Sequence, residues 1–244
     1  MSAPYYQDDL VTIYHGDALD VLPTLSGVGA VITDPPYSSG GQFRGDRVVA
    51  TTTKYVQGGT LAYRPEFAGD QLDQRAFQMW AEAWLRLARS VSAPSAILAS
   101  FIDWRQLPAL SDAVQFAGWS WRGVAVWHKK FGRPTPGRFS NAAEYVVWGS
   151  NGGMPERDAY PPGVFECSTP SDKEHIAQKP EAVMRWVMQI VPVGALVVDP
   201  FMGSGTTLVA AKHHGSPSIG IDTDERYCEI AATRCSQEVL GLVG

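Results

Sequence analysis

Short apolar runs alternate with amphipathic stretches along the whole chain. Seven runs read as strands: VTIY (11–14), AVIT (30–33), AILASF (96–101), SWRGVAVW (120–127), AEYVVW (143–148), ALVVD (195–199) and SIGID (218–222). They are short and rich in β-branched and aromatic residues, as buried strands are. Between them the apolar spacing switches to three and four. Over 72–91 it aligns Phe77, Trp80, Trp84, Leu87 and Val91 on one helix face, most simply a core stripe, with Asp70 as the expected cap. Helices are also predicted over 104–116, ended near Gly118; 180–190, with proline in its first turn; 204–213, ended by Gly215; and 224–240. Strands separated by helices make an α/β fold, a doubly wound sheet that is seven-stranded and mostly parallel. Only a basic loop separates the strands at 120–127 and 143–148, which predicts an antiparallel pair and one antiparallel edge strand.

Two segments resist the pattern: 38–69, rich in Gly, Thr and Arg, and 149–178, rich in Gly and Pro. Loops of that length inside a compact domain are usually functional or disordered. With 244 residues, 45% of them hydrophobic, the chain has ample material for one continuous core, so residues 1–244 are read as a single domain. The net charge of −5 excludes a nonspecific nucleic-acid coat, yet the basic residues cluster. Arg44, Arg47, Lys54 and Arg64 stand against Asp46 alone, and Lys129, Lys130, Arg133 and Arg138 have no acid among them. Basic loops on an acidic body suggest local phosphate contacts; most such runs are merely solvated. Cys167, Cys228 and Cys235 form no Cys-x-x-Cys pair and are expected reduced and buried, without metal. The first residues lack the profile of a signal peptide and no apolar run approaches a membrane span, so a cytoplasmic protein is expected.

Chemistry enters with VITDPPYSSGG, residues 31–41, where an apolar run stops at an acid, two prolines and a tyrosine. Proline lacks an amide donor and restricts its predecessor, so Asp-Pro-Pro could be punctuation alone. A second segment, VVDPFMGSGTT (197–207), follows a strand and opens a helix, which puts Gly203 and Gly205 where backbone must approach a ligand closely. A phosphate-cradling loop would need lysine before the hydroxyl residue, and Gly205 stands there instead. Asp222 ends the next strand at about the distance where a doubly wound site holds ribose hydroxyls, so the ligand is nucleoside-like. Asp17 and Asp34 fall at equivalent strand ends. The histidines His213 and His214, at a helix end, are read as charge partners or surface residues rather than metal ligands.

In that order these segments resemble the S-adenosylmethionine-dependent DNA amino-methyltransferases of the beta class, in which Asp-Pro-Pro-Tyr precedes Phe-x-Gly-x-Gly. The matching pieces are YHGDALDVL, ITDPPY, VWHKK with AEYVVWG, HIAQKPEAVMRWV, VVDPFMGSGTTLVAA and GIDTDERY. The resemblance implies a Rossmann-like fold and a cofactor site of Asp17, Ala18, Asp34, Asp199, Phe201, Met202, Gly203, Ser204, Gly205, Thr206, Thr207 and Asp222. His175, Gln178 and Lys179 would meet the cofactor's amino-acid end. Asp34, Pro35, Pro36 and Tyr37 would be catalytic: Asp34 and a backbone carbonyl accept the amine hydrogens, the prolines fix that carbonyl, and Tyr37 offers a face to the base.

The implied substrate is DNA, with the target base flipped into the pocket. The DNA contacts expected are Arg44, Arg47 and Lys54 in loop 38–69 and Lys129, Lys130, Arg133 and Arg138 in loop 128–140, with Gln42, Arg44 or Gln57 reading base edges. The stretch 149–178 is a short hinge or recognition segment, so reading falls to loop 38–69, to the partner in a homodimer, or to neither. Aspartate at position 34 favours adenine N6 over cytosine N4, which often goes with serine there, and a restriction-modification role is implied. The rival readings are an N4-cytosine enzyme, an RNA enzyme, a nicotinamide-dependent oxidoreductase that leaves Asp-Pro-Pro-Tyr unexplained, and a catalytically silent DNA-binding module keeping the fold.

Overall fold

A computed structural model describes residues 3–37, 72–130, 132, 136–154, 158–168 and 179–241. Nine strands form one sheet: β1 (Tyr6–Gln7), β2 (Val11–His15), β3 (Val28–Thr33), β4 (Ser92–Ile102), β5 (Ser120–His128), β6 (Ala143–Ser150), β7 (Val164–Glu166), β8 (Val197–Asp199) and β9 (Ser218–Asp222). Their spatial order is β1-β2-β9-β8-β3-β4-β6-β5-β7. The five central strands β2, β9, β8, β3 and β4 are parallel. β6 runs antiparallel to β4 and β5.

Two features of the sheet differ from the expectation. Among the described residues it has nine strands rather than seven, because the two- and three-residue strands β1 and β7 are too short to show a period. The antiparallel strand at 143–150 is also not at the edge. It lies between β4 and β5, and β7 adds parallel to β5 beyond it.

The helices are α1 (Ala18–Val21), followed by a 3-10 turn (Leu22–Thr24), then α2 (Gln74–Ser90), α3 (Leu107–Phe116), α4 (Glu181–Met188), α5 (Thr206–His213) and α6 (Glu225–Gly241). Asp70, the expected cap of α2, lies outside the described residues; Asp73 occupies the position before the helix and makes no side-chain capping bond. α3 starts three residues later than expected because the Asp103 carboxylate accepts from the Arg105 and Gln106 amides, each at 3.0 Å, and holds that stretch as a turn.

Period-two alternation along the strands feeds two core layers. On one face Val31, Leu98 and Ile102 pack under α2 and α3, against Phe77, Trp84, Leu85 and Leu110. On the other, Ala30, Ile32, Ile97 and Phe101 pack under α4 and α5, against Val183, Met184 and Ala211. A third cluster seats α6 on β2 through Ile13, Leu208, Cys228 and Ala231. Cys228 and Cys235 are buried as expected, whereas Cys167 is only partly buried because it follows the edge strand β7.

The parallel order reverses between β8 and β3: the chain leaves β3 toward β4 on one side and β8 toward β9 on the other. A doubly wound sheet opens a crevice outside the carboxyl ends of its strands at such a point. Asp34 follows β3 and Asp199 ends β8, so the Asp-Pro-Pro-Tyr and glycine-turn segments both leave the sheet there.

Candidate active site

At the carboxyl end of β3, Thr33 Oγ1 donates to Asp199 Oδ1 at 2.6 Å, tying the two strands together at the reversal point. Asp199 is 1% exposed. Burial pushes its carboxyl up to about 6, against the hydrogen bonds it accepts from Thr207, Thr33 and the Phe201 amide. It serves as the fixed post on which the next turn is hung. That turn runs from Phe201 through the left-handed residues Gly203 (φ +50°) and Gly205 (φ +78°) into α5.

The two glycines are needed for different reasons. A Cβ on Gly205 would stand 2.8 Å from the Ala231 Cβ, so this glycine lets the turn close on α6. A Cβ on Gly203 would meet nothing within 4 Å and would project into open space. The Gly203 amide donates to Asp222 Oδ2 at 3.0 Å, and Asp222 Oδ1 accepts from the Asp224 amide at 2.9 Å. Burial raises the Asp222 carboxyl to about 6 in spite of those two bonds. Asp17 sits one strand away: β2 pairs with β9 through His15 and Asp222, and Asp17 caps α1 by accepting from the Leu19 amide at 2.8 Å.

The turn is held from behind. Arg234 of α6 donates to Ser204 O at 2.6 Å, Ser204 Oγ at 3.1 Å and Thr206 Oγ1 at 3.2 Å. Met202, Ser204, Thr206 and Thr207 are all buried, so what this stretch can offer a ligand is chiefly its backbone. Phe201 is anchored by the α2 stripe, its ring 5.1 Å from Trp80 and 5.4 Å from Trp84. Aromatics legible only as core in the sequence thus carry a residue of the turn.

Across the crevice, Asp34 is the centre of a charged cluster. The Tyr37 hydroxyl donates to Asp34 Oδ1, and Lys179 Nζ donates to Asp34 Oδ2 at 2.5 Å and to the Tyr37 oxygen at 3.1 Å. The same ammonium lies 3.1 Å from Glu144 Oε2, an ion-pair contact rather than an aligned hydrogen bond, and Glu144 Oε1 accepts from Lys129. The ammonium also lies 5.3 Å from the Tyr37 ring centre and 5.4 Å from that of Phe101. Side-chain exposure is 8% for Lys179, 15% for Glu144 and 19% for Asp34, so these charges act on one another with little water between them.

Burial raises the Asp34 carboxyl, Lys179 pulls it back, and Glu144 adds to the rise. Burial acts the same way on Glu144, but Lys179 and Lys129 outweigh it and hold that group below the usual carboxylate range. Tyr37 is pushed well up, by burial and then by Asp34 and Glu144, so it keeps its proton and donates.

Two groups of the expected site residues come together among the described residues. Asp34, Tyr37 and Lys179 are brought into contact, and Asp199, Phe201, Gly203, Gly205 and Asp222 form the adjoining turn. Lys179 was expected at the cofactor's amino-acid end, and its ammonium faces Asp34; His175 and Gln178 lie outside the described residues. Of the DNA-contact residues, Arg44, Arg47, Lys54 and Arg133 lie outside the described residues, with Gln42 and Gln57. Lys129 is engaged with Glu144, Lys130 lies 3.5 Å from Glu166, and Arg138 is exposed. Glu144 and Arg234 were not singled out. A lone acid in the apolar run AEYVVW was the one available hint for Glu144.

The sequence matches the N6/N4 methyltransferase profile, described as DNA methylase, over residues 28–233. The chain belongs to this family. Its members are amino-methyltransferases that use S-adenosylmethionine on DNA, and this family member does the same. Among curated relatives it is 24% identical to the type II methyltransferase M2.LlaDCHI of Lactococcus lactis subsp. cremoris, over 97% of this chain and 93% of that one. It is 25% identical to M2.DpnII of Streptococcus pneumoniae, over 98% and 94%. Solved structures share the fold, among them the following two. The cytosine-N4-specific PvuII DNA methyltransferase has a TM-score of 0.71 at 19% identity, covering 95% of this chain and 88% of that one. The M1.HpyAVI complex with S-adenosylmethionine has a TM-score of 0.65 at 23% identity, covering 92% and 100%.

The cofactor fits what the chain presents. Open space over Gly203, a carboxylate tied to its amide and an aromatic ring at Phe201 suit a nucleoside sulfonium: backbone approach, a diol acceptor and a face for the positive charge.

Proposed function

We propose that the enzyme methylates the N6 amine of adenine in DNA, after flipping the base into the crevice between β3 and β8. The observation that carries this reading is the Asp34 carboxylate, held at the end of β3 by Tyr37 and Lys179 and close to Asp199, from which the glycine turn departs. The exocyclic amine is a poor nucleophile because its lone pair is delocalised into the ring. Asp34 counters this by accepting one amine hydrogen on a lone pair that Tyr37 and Lys179 leave over, since a carboxylate offers about four acceptor sites. A backbone carbonyl such as that of Pro35 accepts the other hydrogen, and Pro35 and Pro36 hold its direction. The nitrogen is drawn toward tetrahedral geometry with its lone pair aimed away from both acceptors.

Bound S-adenosylmethionine supplies an electrophilic methyl group on a sulfonium. Asp222 and Asp17 are assigned to its nucleoside end, and the backbone of 203–207 with Phe201 to the sulfonium and amino-acid end. His175 and Gln178 keep their assignment to the amino-acid end. Asp34 also receives the proton the nitrogen sheds once alkylated, a task eased by the burial that raises its carboxyl. Holding the amine in near-attack geometry supplies much of the rate.

Flipping costs a few kcal/mol, offset by phosphate contacts from the basic loops. Arg44, Arg47, Lys54 and Arg133 keep that assignment, together with Lys130 and Arg138. Aspartate rather than serine at position 34 favours adenine; the fold shared with a cytosine-N4-specific enzyme gives N4 methylation as the second reading. Incubation with labelled S-adenosylmethionine and unmodified DNA, followed by nucleoside mass spectrometry, decides between them. N6-methyladenine is expected, and N4-methylcytosine alone would overturn the assignment.

A further inference from the structure

Glu144 has no place in the mechanism above, yet it is a carboxylate 15% exposed in a strand of apolar residues. A cross-strand partner alone would account for only half of its surroundings. β5 and β6 pair Trp127 with Glu144, and Lys129 just beyond reaches back to Glu144 Oε1 across a neighbouring-strand distance. The other oxygen does not face the strands. It faces the ammonium of Lys179, which arrives from the segment before α4 and lies between Glu144 and Asp34. Four charges thus alternate in a row, Lys129, Glu144, Lys179 and Asp34, and the row ends at the acceptor for the target amine.

Resting on the amino-methyltransferase reading, we propose that Glu144 is a positioning residue: by holding Lys129 and Lys179 on opposite oxygens it fixes the ammonium that orients Asp34 and Tyr37. An unanchored Lys179 would lie wholly on Asp34, occupying the lone pairs that the amine needs. Shared with Glu144 at 3.1 Å, it leaves Asp34 a better acceptor for the substrate and for the departing proton. The charged and titratable groups that act on Asp34 are Tyr37 after β3, Lys179 before α4, Glu144 of β6 backed by Lys129 at the end of β5, and Asp199 at the end of β8; Asp103 after β4 acts on Tyr37. Glu144 pushes Asp34 upward and Lys179 pulls it down, and Lys129 offsets Glu144 from behind, so removing the Glu144 charge and removing the Lys129 charge should move Asp34 in opposite senses.

The test compares Glu144→Gln and Lys129→Gln with the parent enzyme. Methyl incorporation into unmodified DNA is followed from about pH 5 to about pH 9 at saturating cofactor and DNA. Removing the Glu144 charge should lower kcat about tenfold with the cofactor KM within about twofold, and move the acid limb of the profile to lower pH. Removing the Lys129 charge should move that limb to higher pH, because Glu144 then draws harder on Lys179. A merely structural role would alter stability and leave the limbs where they were. The Asp34 carboxyl titration, followed by carbon-13 NMR in the cofactor-free proteins, gives the same two directions without any turnover. It decides the point even if the parent transfers no methyl group, which would sink the reading of activity instead. If Glu144→Gln fails to fold, the direction seen in Lys129→Gln decides alone. Limbs and titrations that coincide with the parent, or that move together in both variants, overturn the proposal.

Discussion

Replacing Lys179 by methionine keeps most of the side-chain volume and removes the cation between two buried carboxylates. Its contacts at 2.5 Å to Asp34 and 3.1 Å to Glu144 are each closer than the ~4 Å separation at which a charge pair is worth about 4 kcal/mol at an effective dielectric of about 20. Desolvation of the ions offsets much of that. Removing one partner of a buried pair nonetheless costs about 3–5 kcal/mol, because the remaining charge stays buried without compensation. Here the loss is limited by an escape route: Asp34, already raised by burial and by Glu144, can take up a proton. A destabilisation of about 3 kcal/mol near neutral pH follows.

The sign of the pH dependence is fixed by the same groups. Lys179 is raised above 10.5 in the fold, so its contribution is complete at every pH below that and is lost only as pH rises through the folded value. Glu144 is held below 4.5, so its contribution is present above 4.5 and is lost as pH falls through the lowered value. Without Lys179 the burial of both carboxylates goes uncompensated and both titrate upward, so falling pH neutralises them and removes their need for a cation. The deficit of Lys179→Met, measured by urea denaturation of parent and variant, should therefore be largest near pH 7.5 and shrink by more than half near about pH 5. Equal stability at pH 7.5, or a deficit that does not change with pH, would refute the placement of that ammonium.

Three further outcomes are expected. Gly203→Val forces a β-branched residue into φ +50° and fills the open space over the turn, so cofactor affinity should fall at least tenfold by calorimetry, and unchanged affinity would count against the turn as the cofactor site. Because Asp222 is raised to about 6, cofactor affinity should fall as pH drops below about 6, approaching tenfold per pH unit, while the stability of the cofactor-free protein gains from that group over the same descent; a flat binding profile between about pH 5 and 7 argues against a diol on this carboxylate. Arg234→Met removes three hydrogen bonds to the turn and should raise the cofactor Kd about tenfold with little change in kcat at saturation, as read from initial rates.

The long periodic elements were legible in the sequence. All seven apolar runs are strands and the five long helical patterns are helices, since burial on a sheet face or a helix stripe forces a period on the residues. β1 and β7 were not legible, because two or three residues pairing at an edge show no period. The interior place of β6 was missed because a hairpin can dock by either of its strands, and here β6 rather than β5 pairs with β4.

At the candidate site, the convergence of Asp34, Tyr37, Gly203, Gly205 and Asp222 on the strand ends was legible because the bends and glycines around them break the pattern. Glu144 and Arg234 were not, since each acts through a tertiary contact with a segment remote in sequence: Lys179 for the first and the 204–206 turn for the second. The Lys129 result has the same origin. A basic run reads from sequence alone as a DNA-contact loop or a solvated one, and only the register of β5 on β6 reveals that Lys129 turns inward onto an acid.

The central claim is that Asp34 serves the methyl acceptor and leaves the cofactor turn alone, although both lie at one reversal point of the sheet. The most direct measurement pairs methyl incorporation into unmodified DNA with equilibrium S-adenosylmethionine binding, in the parent and in Asp34→Ala. The expected result is incorporation by the parent, none detectable by the variant, and cofactor Kd values that agree within about threefold. Incorporation by Asp34→Ala at the parent rate, or loss of cofactor binding along with activity, would contradict it.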